Sequence, residues 1–91
     1  MANTYKMETI RVGDDLWEVH YRLVNDSICP MIRIEADLLR KDKKWYQSKY
    51  TYCDYTYRND ADKANTAAKD LIDNYYDNQV EQKKIIEFFN N

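Results

Sequence analysis

The spacing of apolar residues changes once along the chain, close to residue 58. Before this point apolar and polar residues alternate, as they do in a β-strand with one buried face. After it, apolar residues recur at every third or fourth position, which is typical of an amphipathic helix. Strands followed by helices within 91 residues predict a single α+β domain. We expect an antiparallel sheet over residues 1–58 and C-terminal helices over residues 59–91.

Four segments of the first part have the composition of strands. They are Tyr5–Val12, Leu16–Val24, Met31–Leu39 and Trp45–Arg58. The alternation is clear in the second segment, where Trp17 and Val19 face one side and His20 faces the other. The expected architecture is a four-stranded antiparallel meander sheet that is packed on one face by one or two C-terminal helices.

The second part begins with Asn59 and Asp60, either of which can cap a helix. The apolar positions that follow share one helical face: Ala61, Ala64, Ala68, Leu71, Ile72 and Tyr75. Helical character weakens over the polar stretch 74–78, so the pattern fits either one kinked helix or two helices. We expect a break near Asp77 and a second helix over residues 79–90.

Composition restricts the class of protein and its location. The net charge is −2, so the overall charge does not point to nucleic acid, and no apolar run is long enough to span a membrane. The first residues do not form a secretory signal. Cys29 and Cys53 lack the spacing of metal ligands and are expected to be free thiols in a reducing compartment. We therefore expect a cytoplasmic protein, in the host cytoplasm if the chain is viral.

The sequence has few residues that suit catalysis. His20 is the only histidine, and on the outer face of its strand an exposed polar role fits better than a general base oriented by Glu18. Cys53 would need a nearby base to act as a nucleophile, and it is expected to be a small buried residue if it faces the core. The sequence contains no phosphate loop and no dinucleotide motif. We predict no enzyme activity, no cofactor and no bound metal.

Residues 40–58 combine basic and aromatic side chains. The segment has six basic residues against two acidic ones, and six aromatic residues lie between them. Strand alternation places Tyr46, Tyr50 and Tyr52 on one face, and Trp45, Tyr55 and Tyr57 on the other, unless a bulge near Cys53 shifts the phase. The predicted partner-binding residues are basic or aromatic: Arg22, Arg33, Lys43, Lys44, Tyr46, Lys49, Tyr50 and Tyr52.

Three functions compete for this surface. Because Tyr and Arg are enriched in protein interfaces, we favour a small non-enzymatic protein that acts by steric occupation of a protein partner. Lys, Tyr, Asn and Ile are abundant and have A/T-rich codons, which favours a phage or mobile element and an inhibitor of a host defence protein. The alternatives are a nucleic-acid-binding module that uses a Tyr-rich basic sheet face, and oligomeric sequestration of a small nucleotide signal.

The end of the chain carries more large apolar residues than one helical stripe needs. Ile85, Ile86, Phe88 and Phe89 lie within five positions. We expect them to close the core. Any part of this surface that stays exposed favours a homodimer through Ile86, Phe88 and Phe89 or through the sheet edge.

Overall fold

The computed structural model describes residues 4–26 and 29–90. Its elements, in chain order, are β1 (Tyr5–Val12), β2 (Asp15–Asp26), β3 (Cys29–Leu39), β4 (Tyr50–Arg58) and α1 (Ala61–Asn90). The strands lie in the sheet in the order β1-β2-β3-β4, and each neighbouring pair is antiparallel. The predicted α+β fold, with a four-stranded meander and a C-terminal helix, is confirmed.

The β1–β2 turn uses the only glycine of the chain. Val12 pairs with Asp15, so two residues join the strands. Gly13 has a φ of 60°, in the left-handed region where a side chain would be strained. This turn fixes the register of the first hairpin and therefore decides which side chains share a face.

The helix covers one face of the sheet and forms the core with it. The buried apolar side chains come from β2, β3 and the first half of α1: Trp17, Val19, Tyr21, Ile34, Ala36, Leu38, Ala64, Ala67, Ala68, Leu71 and Ile72. The three alanines are small, so the helix backbone can lie close to the sheet. Burial of this face supplies the main hydrophobic contribution to folding.

Trp17 is the largest fully buried side chain and links the sheet to the helix. Its ring packs edge-on against Tyr75 and Tyr76 of α1 and against Tyr52 of β4. Its Nε1 donates a hydrogen bond to the Tyr76 hydroxyl at 3.0 Å, and that hydroxyl donates to Asp15 at 2.7 Å. The indole N–H is therefore satisfied inside the core, as a buried tryptophan requires.

The helix runs without interruption for 30 residues. It begins at the Asp60 cap, whose Oδ1 accepts hydrogen bonds from the backbone N–H groups of Asp62 and Lys63 at 2.8 and 3.2 Å. The expected break near Asp77 is wrong. Neither Gly nor Pro interrupts the segment, and Tyr75 and Tyr76 pack on Trp17 within the polar stretch that suggested the break.

The second half of the helix extends beyond the core. Every residue from 77 to 90 is exposed, and we call this segment the helix end. Its large apolar side chains are all more than half exposed: Val80, Ile85, Ile86, Phe88 and Phe89. The expectation that this segment closes the core is therefore wrong, because the sheet-contacting part of the helix ends at Tyr76. The molecule is correspondingly elongated, with a long dimension of 57 Å.

The two cysteines lie far apart on the sheet. Cys29 begins β3, and Cys53 pairs with Asp37, eight residues further along that strand. At roughly 3.3 Å per residue this separation is far too large for a disulfide. Both cysteines are free and exposed.

Candidate functional site

The helix leaves one face of the sheet uncovered, and we call it the open face. Its side chains form three rows across the strands. Each row follows from the strand register: Tyr5, Arg22, Arg33 and Tyr57; Met7, His20, Glu35 and Tyr55; Thr9, Glu18, Asp37 and Cys53. We call the end of the open face at the first row the tyrosine–arginine end. We call the end at the third row, together with His20 of the middle row, the histidine–carboxylate end.

At the tyrosine–arginine end, guanidinium groups lie against tyrosine rings. The Arg22 guanidinium is 5.2 Å from the centre of the Tyr5 ring, and that of Arg33 is 4.6 Å from the centre of the Tyr55 ring. Tyr55 also meets Tyr57 edge-to-face. Tyr5, Tyr55 and Tyr57 are nevertheless 41–53% exposed. Cation–π contact therefore holds these side chains in place while leaving much of their surface available to a partner.

At the histidine–carboxylate end, His20 lies among carboxylates. Its Nε2 is 3.2 Å from Asp37 Oδ2 and 3.4 Å from Glu18 Oε1, and its Nδ1 is 2.6 Å from the Tyr5 hydroxyl. Asp37 is only 1% exposed. Burial raises the pKa of Asp37 to about 6, and the neighbouring Glu35 adds to this rise. The carboxyl group of Asp37 therefore holds its proton more tightly than an exposed aspartate does.

Two of the predicted partner-binding residues hold Glu18 in place. The Tyr50 hydroxyl donates to Glu18 Oε1 at 2.6 Å, and Lys49 Nζ lies 3.2 Å from Oε2. The hydrogen bond from Tyr50 lowers the pKa of Glu18, and the same bond raises the pKa of Tyr50. Tyr50 is half-buried as a result, so its hydroxyl is already committed within the chain.

A bulge separates Tyr50 from Tyr52. Leu38 pairs with Tyr52 whereas Leu39 pairs with Tyr50, so Thr51 is an extra residue in β4. Tyr52 consequently points to the covered face, where its ring lies 4.7 Å from that of Tyr75. The prediction that Tyr50 and Tyr52 share a face is therefore wrong. Tyr52 belongs to the packing between sheet and helix.

The predicted start of the fourth strand is also wrong. Residues 40–49 form an irregular connection, which closes where the Arg40 N–H donates to the Lys49 carbonyl at 2.9 Å. Tyr46 therefore lies on this connection and not on a strand face. Lys43 and Lys44 are exposed on it, and Trp45 is 91% exposed. These residues form a second exposed basic and aromatic surface.

Sequence reasoning missed Tyr5 and assigned Tyr55 and Tyr57 to the face opposite the predicted partner-binding one. Alternation placed Tyr55 and Tyr57 opposite Tyr52, as the structure does, but it gave no sign that the bulge at Thr51 brings Tyr50 to their face. The poor alternation of the β1 segment did not indicate which face of the sheet Tyr5 occupies. Of the predicted residues, Arg22 and Arg33 lie at the tyrosine–arginine end.

Cys53 lies on the open face and not in the core. Removal of water from the sulfur and the adjacent Asp37 carboxylate raise the pKa of the Cys53 thiol to about 12. A thiol with such a pKa is protonated at neutral pH and is a poor nucleophile. The Cys53 thiol, which lies opposite Asp37, therefore lacks the lowered pKa of a catalytic cysteine.

No family model matches the chain, and no curated protein or solved structure is similar to it. Across residues 4–26 and 29–90, none of the helical structure combines the length and apolar character needed to cross a membrane.

Proposed function

We propose that this protein is a non-enzymatic binding protein that covers a surface of another protein with its open face and so blocks it sterically. The observation that carries the proposal is the contact of Arg22 with Tyr5 and of Arg33 with Tyr55 on an uncovered sheet. Tyrosine and arginine, together with tryptophan, are the side chains most enriched among interface residues that dominate binding energy.

The arrangement is also pre-organised for binding. Arg33 donates a hydrogen bond to Glu35 at 2.7 Å while its guanidinium stacks on Tyr55, so it is held from two sides. The side chains stand on paired strands and not on loops. Ordering of flexible side chains costs about 0.5–1.5 kcal/mol each on association, and this cost is reduced when the free protein already holds them.

The charges of the open face favour a protein partner over nucleic acid. Arg22 and Arg33 lie at one end, but Glu18, Glu35 and Asp37 lie at the other. A phosphate backbone that follows the sheet would find few unpaired cations to bind, because Arg33 is already paired with Glu35 and Lys49 with Glu18. A protein surface can instead present basic groups to one end and acidic or carbonyl groups to the other.

The proposal is tested by affinity capture from nuclease-treated lysate of the natural host, with two variants of the full chain. Tyr55→Ala combined with Tyr57→Ala removes two exposed rings of the open face, and Phe88→Ala removes a more exposed ring from the helix end. We expect the double variant to lose at least about tenfold in affinity for the captured protein, at 1–2 kcal/mol per ring. Phe88→Ala should bind as the unmodified chain does.

Equal capture by both variants, with circular dichroism showing that they are folded, would contradict the assignment of the open face. Capture that depends on Phe88 alone would move the interface to the helix end.

A second function is favoured by one observation, the exposed connection that carries Lys43, Lys44, Trp45 and Tyr46. Basic side chains next to exposed aromatic rings suit single-stranded nucleic acid, because bases stack on the rings and phosphates pair with lysine. Fluorescence anisotropy with a labelled oligonucleotide tests this function. It predicts binding that weakens steeply with salt and is lost in Trp45→Ala, whereas Tyr55→Ala has no effect.

The helix end provides a third surface, and for it we propose a second copy of the chain as the partner. Its exposed apolar residues Ile86 and Phe89 continue the helical stripe that, nearer the start of α1, packs Leu71 and Ile72 against the sheet. A stripe of this kind lowers its free energy when another apolar surface covers it.

A further inference from the structure

The histidine–carboxylate end brings together three metal-ligand types from two neighbouring strands. His20 of β2 is directly opposite Glu35 of β3, and Asp37 is two residues further along the same face. One ligand atom from each lies within 4.8 Å of the others. Paired strands fix the spacing of their Cα atoms, so the group is held by the sheet itself.

A second observation, independent of this clustering, is that the group contains buried polar atoms without partners. Asp37 is 1% exposed, and neither of its carboxylate oxygens has a hydrogen-bond partner among the described residues. The Nε2 atom of His20 is likewise buried without one. Leaving such atoms unpaired is costly, and the cost is largest for an ionised carboxylate.

The nearby permanent cations do not supply a counter-charge to Asp37. Arg33 is paired with Glu35 at 2.7 Å, and Lys49 is paired with Glu18 at 3.2 Å. Each of these carboxylates therefore already has its own counter-charge. Asp37 has no permanent cation of its own among the described residues, because its neighbours are the ring of His20 at 3.2 Å, the carboxylates of Glu18 and Glu35, and the Cys53 thiol.

We propose that His20, Glu35 and Asp37 bind one first-row divalent transition metal ion, with Zn²⁺ as the best fit. An imidazole nitrogen with two carboxylates is a typical donor set for Zn²⁺, whereas Mg²⁺ and Ca²⁺ prefer ligands that are all oxygen. Ligands bound to tetrahedral zinc at about 2.0–2.1 Å lie about 3.3 Å apart. The 3.2 Å between His20 Nε2 and Asp37 Oδ2 already has this spacing.

Tyr5 has the position of an outer partner for this site. Its hydroxyl is 2.6 Å from Nδ1 of His20. A proton on Nδ1 that is donated to this hydroxyl leaves the Nε2 lone pair free to face Asp37. Metal-bound histidines usually make such a bond through their second nitrogen, and it sets both the tautomer and the ring orientation. Tyr5 is thus a positioning residue for the metal.

The site does not depend on the proposed protein interface, and it is tested on the isolated full chain. After treatment with a chelator, the protein is titrated with Zn²⁺ by calorimetry and heated with and without the ion. We expect one ion per chain. At a free Zn²⁺ concentration about a hundredfold above Kd, the Tm should rise by about 10 °C or more. Mg²⁺ at the same concentration should give no shift.

Two ligand variants and two controls separate this site from adventitious binding. Asp37→Asn keeps the shape of the side chain and removes the charge, so it is expected to fold and to lose both the Zn²⁺ isotherm and the Tm shift. His20→Gln should do the same. Glu87→Gln on the helix end and Cys53→Ser, which removes the nearest thiol, should bind as the unmodified chain does.

Tyr5→Phe tests the outer partner of His20 without removing a metal ligand. It should weaken Zn²⁺ binding on the order of tenfold, as loss of an outer partner of a metal-bound histidine usually does. The proposal is overturned if Zn²⁺ gives neither isotherm nor shift. It is equally overturned if folded Asp37→Asn and His20→Gln bind Zn²⁺ with unchanged affinity, or if Cys53→Ser alone abolishes binding.

Discussion

The two faces of the sheet are built from the same strands but are stabilised differently. On the covered face, Trp17, Val19 and Ile34 are fully buried and apolar. On the open face, the buried group is the Asp37 carboxylate, and exposed rings such as Tyr55 are held by arginine. Hydrophobic burial therefore favours folding on one face, whereas polar and cation–π contacts position side chains on the other. Substitutions on the covered face should therefore mainly lower stability, whereas those on the open face should mainly weaken binding.

The largest expected effect is on the covered face. Trp17→Ala leaves a cavity among three tyrosine rings and removes the donor to Tyr76. It should lower the free energy of unfolding by about 3–5 kcal/mol, which is a large part of the 5–15 kcal/mol typical of a domain. Urea unfolding followed by circular dichroism measures this change.

Tyr57→Ala on the open face is the matched comparison for Trp17→Ala. Because Tyr57 is 41% exposed, its loss should cost at most about 1 kcal/mol. Equal losses in the two variants would mean that the open face contributes to folding as much as the core does.

An intermediate effect, with the opposite sign, is expected at Asp37. Its pKa of about 6 in the folded chain lies above the ordinary value of 3.8, so the folded state holds the proton more tightly. The stability that this proton contributes is then fully present below about pH 4 and is lost as the pH rises through about 6. Asp37→Asn removes this loss, and in metal-free buffer it should stabilise the protein by on the order of 2 kcal/mol at pH 7.5.

Urea unfolding between pH 4 and pH 8, with chelator present, tests this pH dependence. The charged or titratable groups that face Asp37 are His20 and Glu18 from β2, Glu35 from β3 and Cys53 from β4. At pH 4 the variant and the unmodified chain should differ little. A variant that is less stable at pH 7.5 would show that these neighbours favour the ionised carboxylate after all.

The fold was predictable because it depends on periodicity, which is a local property. The alternation in β2 and β3 and the helical spacing after Arg58 identify the elements and the face that each presents. Which residues lie opposite each other on neighbouring strands is not a local property of the sequence. The sequence places His20 on an outer face, but only the register of β2 with β3 brings it to Glu35 and Asp37.

The errors have the same origin. The bulge at Thr51 lets Tyr50 reach Glu18 while Tyr52 packs on Trp17, and both contacts lie more than 30 residues away in sequence. The helix continues through residues 74–78 because Tyr75 and Tyr76 contact the same tryptophan. In both places tertiary contacts decided the backbone where the local pattern was ambiguous.

The smallest expected effect on stability is at the helix end, where the comparison extends to the two halves of one helix. Leu71→Ala, in the buried half, should cost about 2–5 kcal/mol. Phe88→Ala combined with Phe89→Ala should change the stability of the monomer by no more than about 0.5 kcal/mol, because both rings are more than 70% exposed.

Analytical ultracentrifugation of the same variants tests the homodimer. If the helix end joins two copies, the unmodified chain sediments as a dimer and its Tm rises with protein concentration, since association stabilises the folded state. The double phenylalanine variant should then be monomeric with a Tm that does not depend on concentration, whereas Tyr55→Ala should still dimerise. A monomer at high concentration in every variant would exclude self-association and leave the apolar helix end to a different partner.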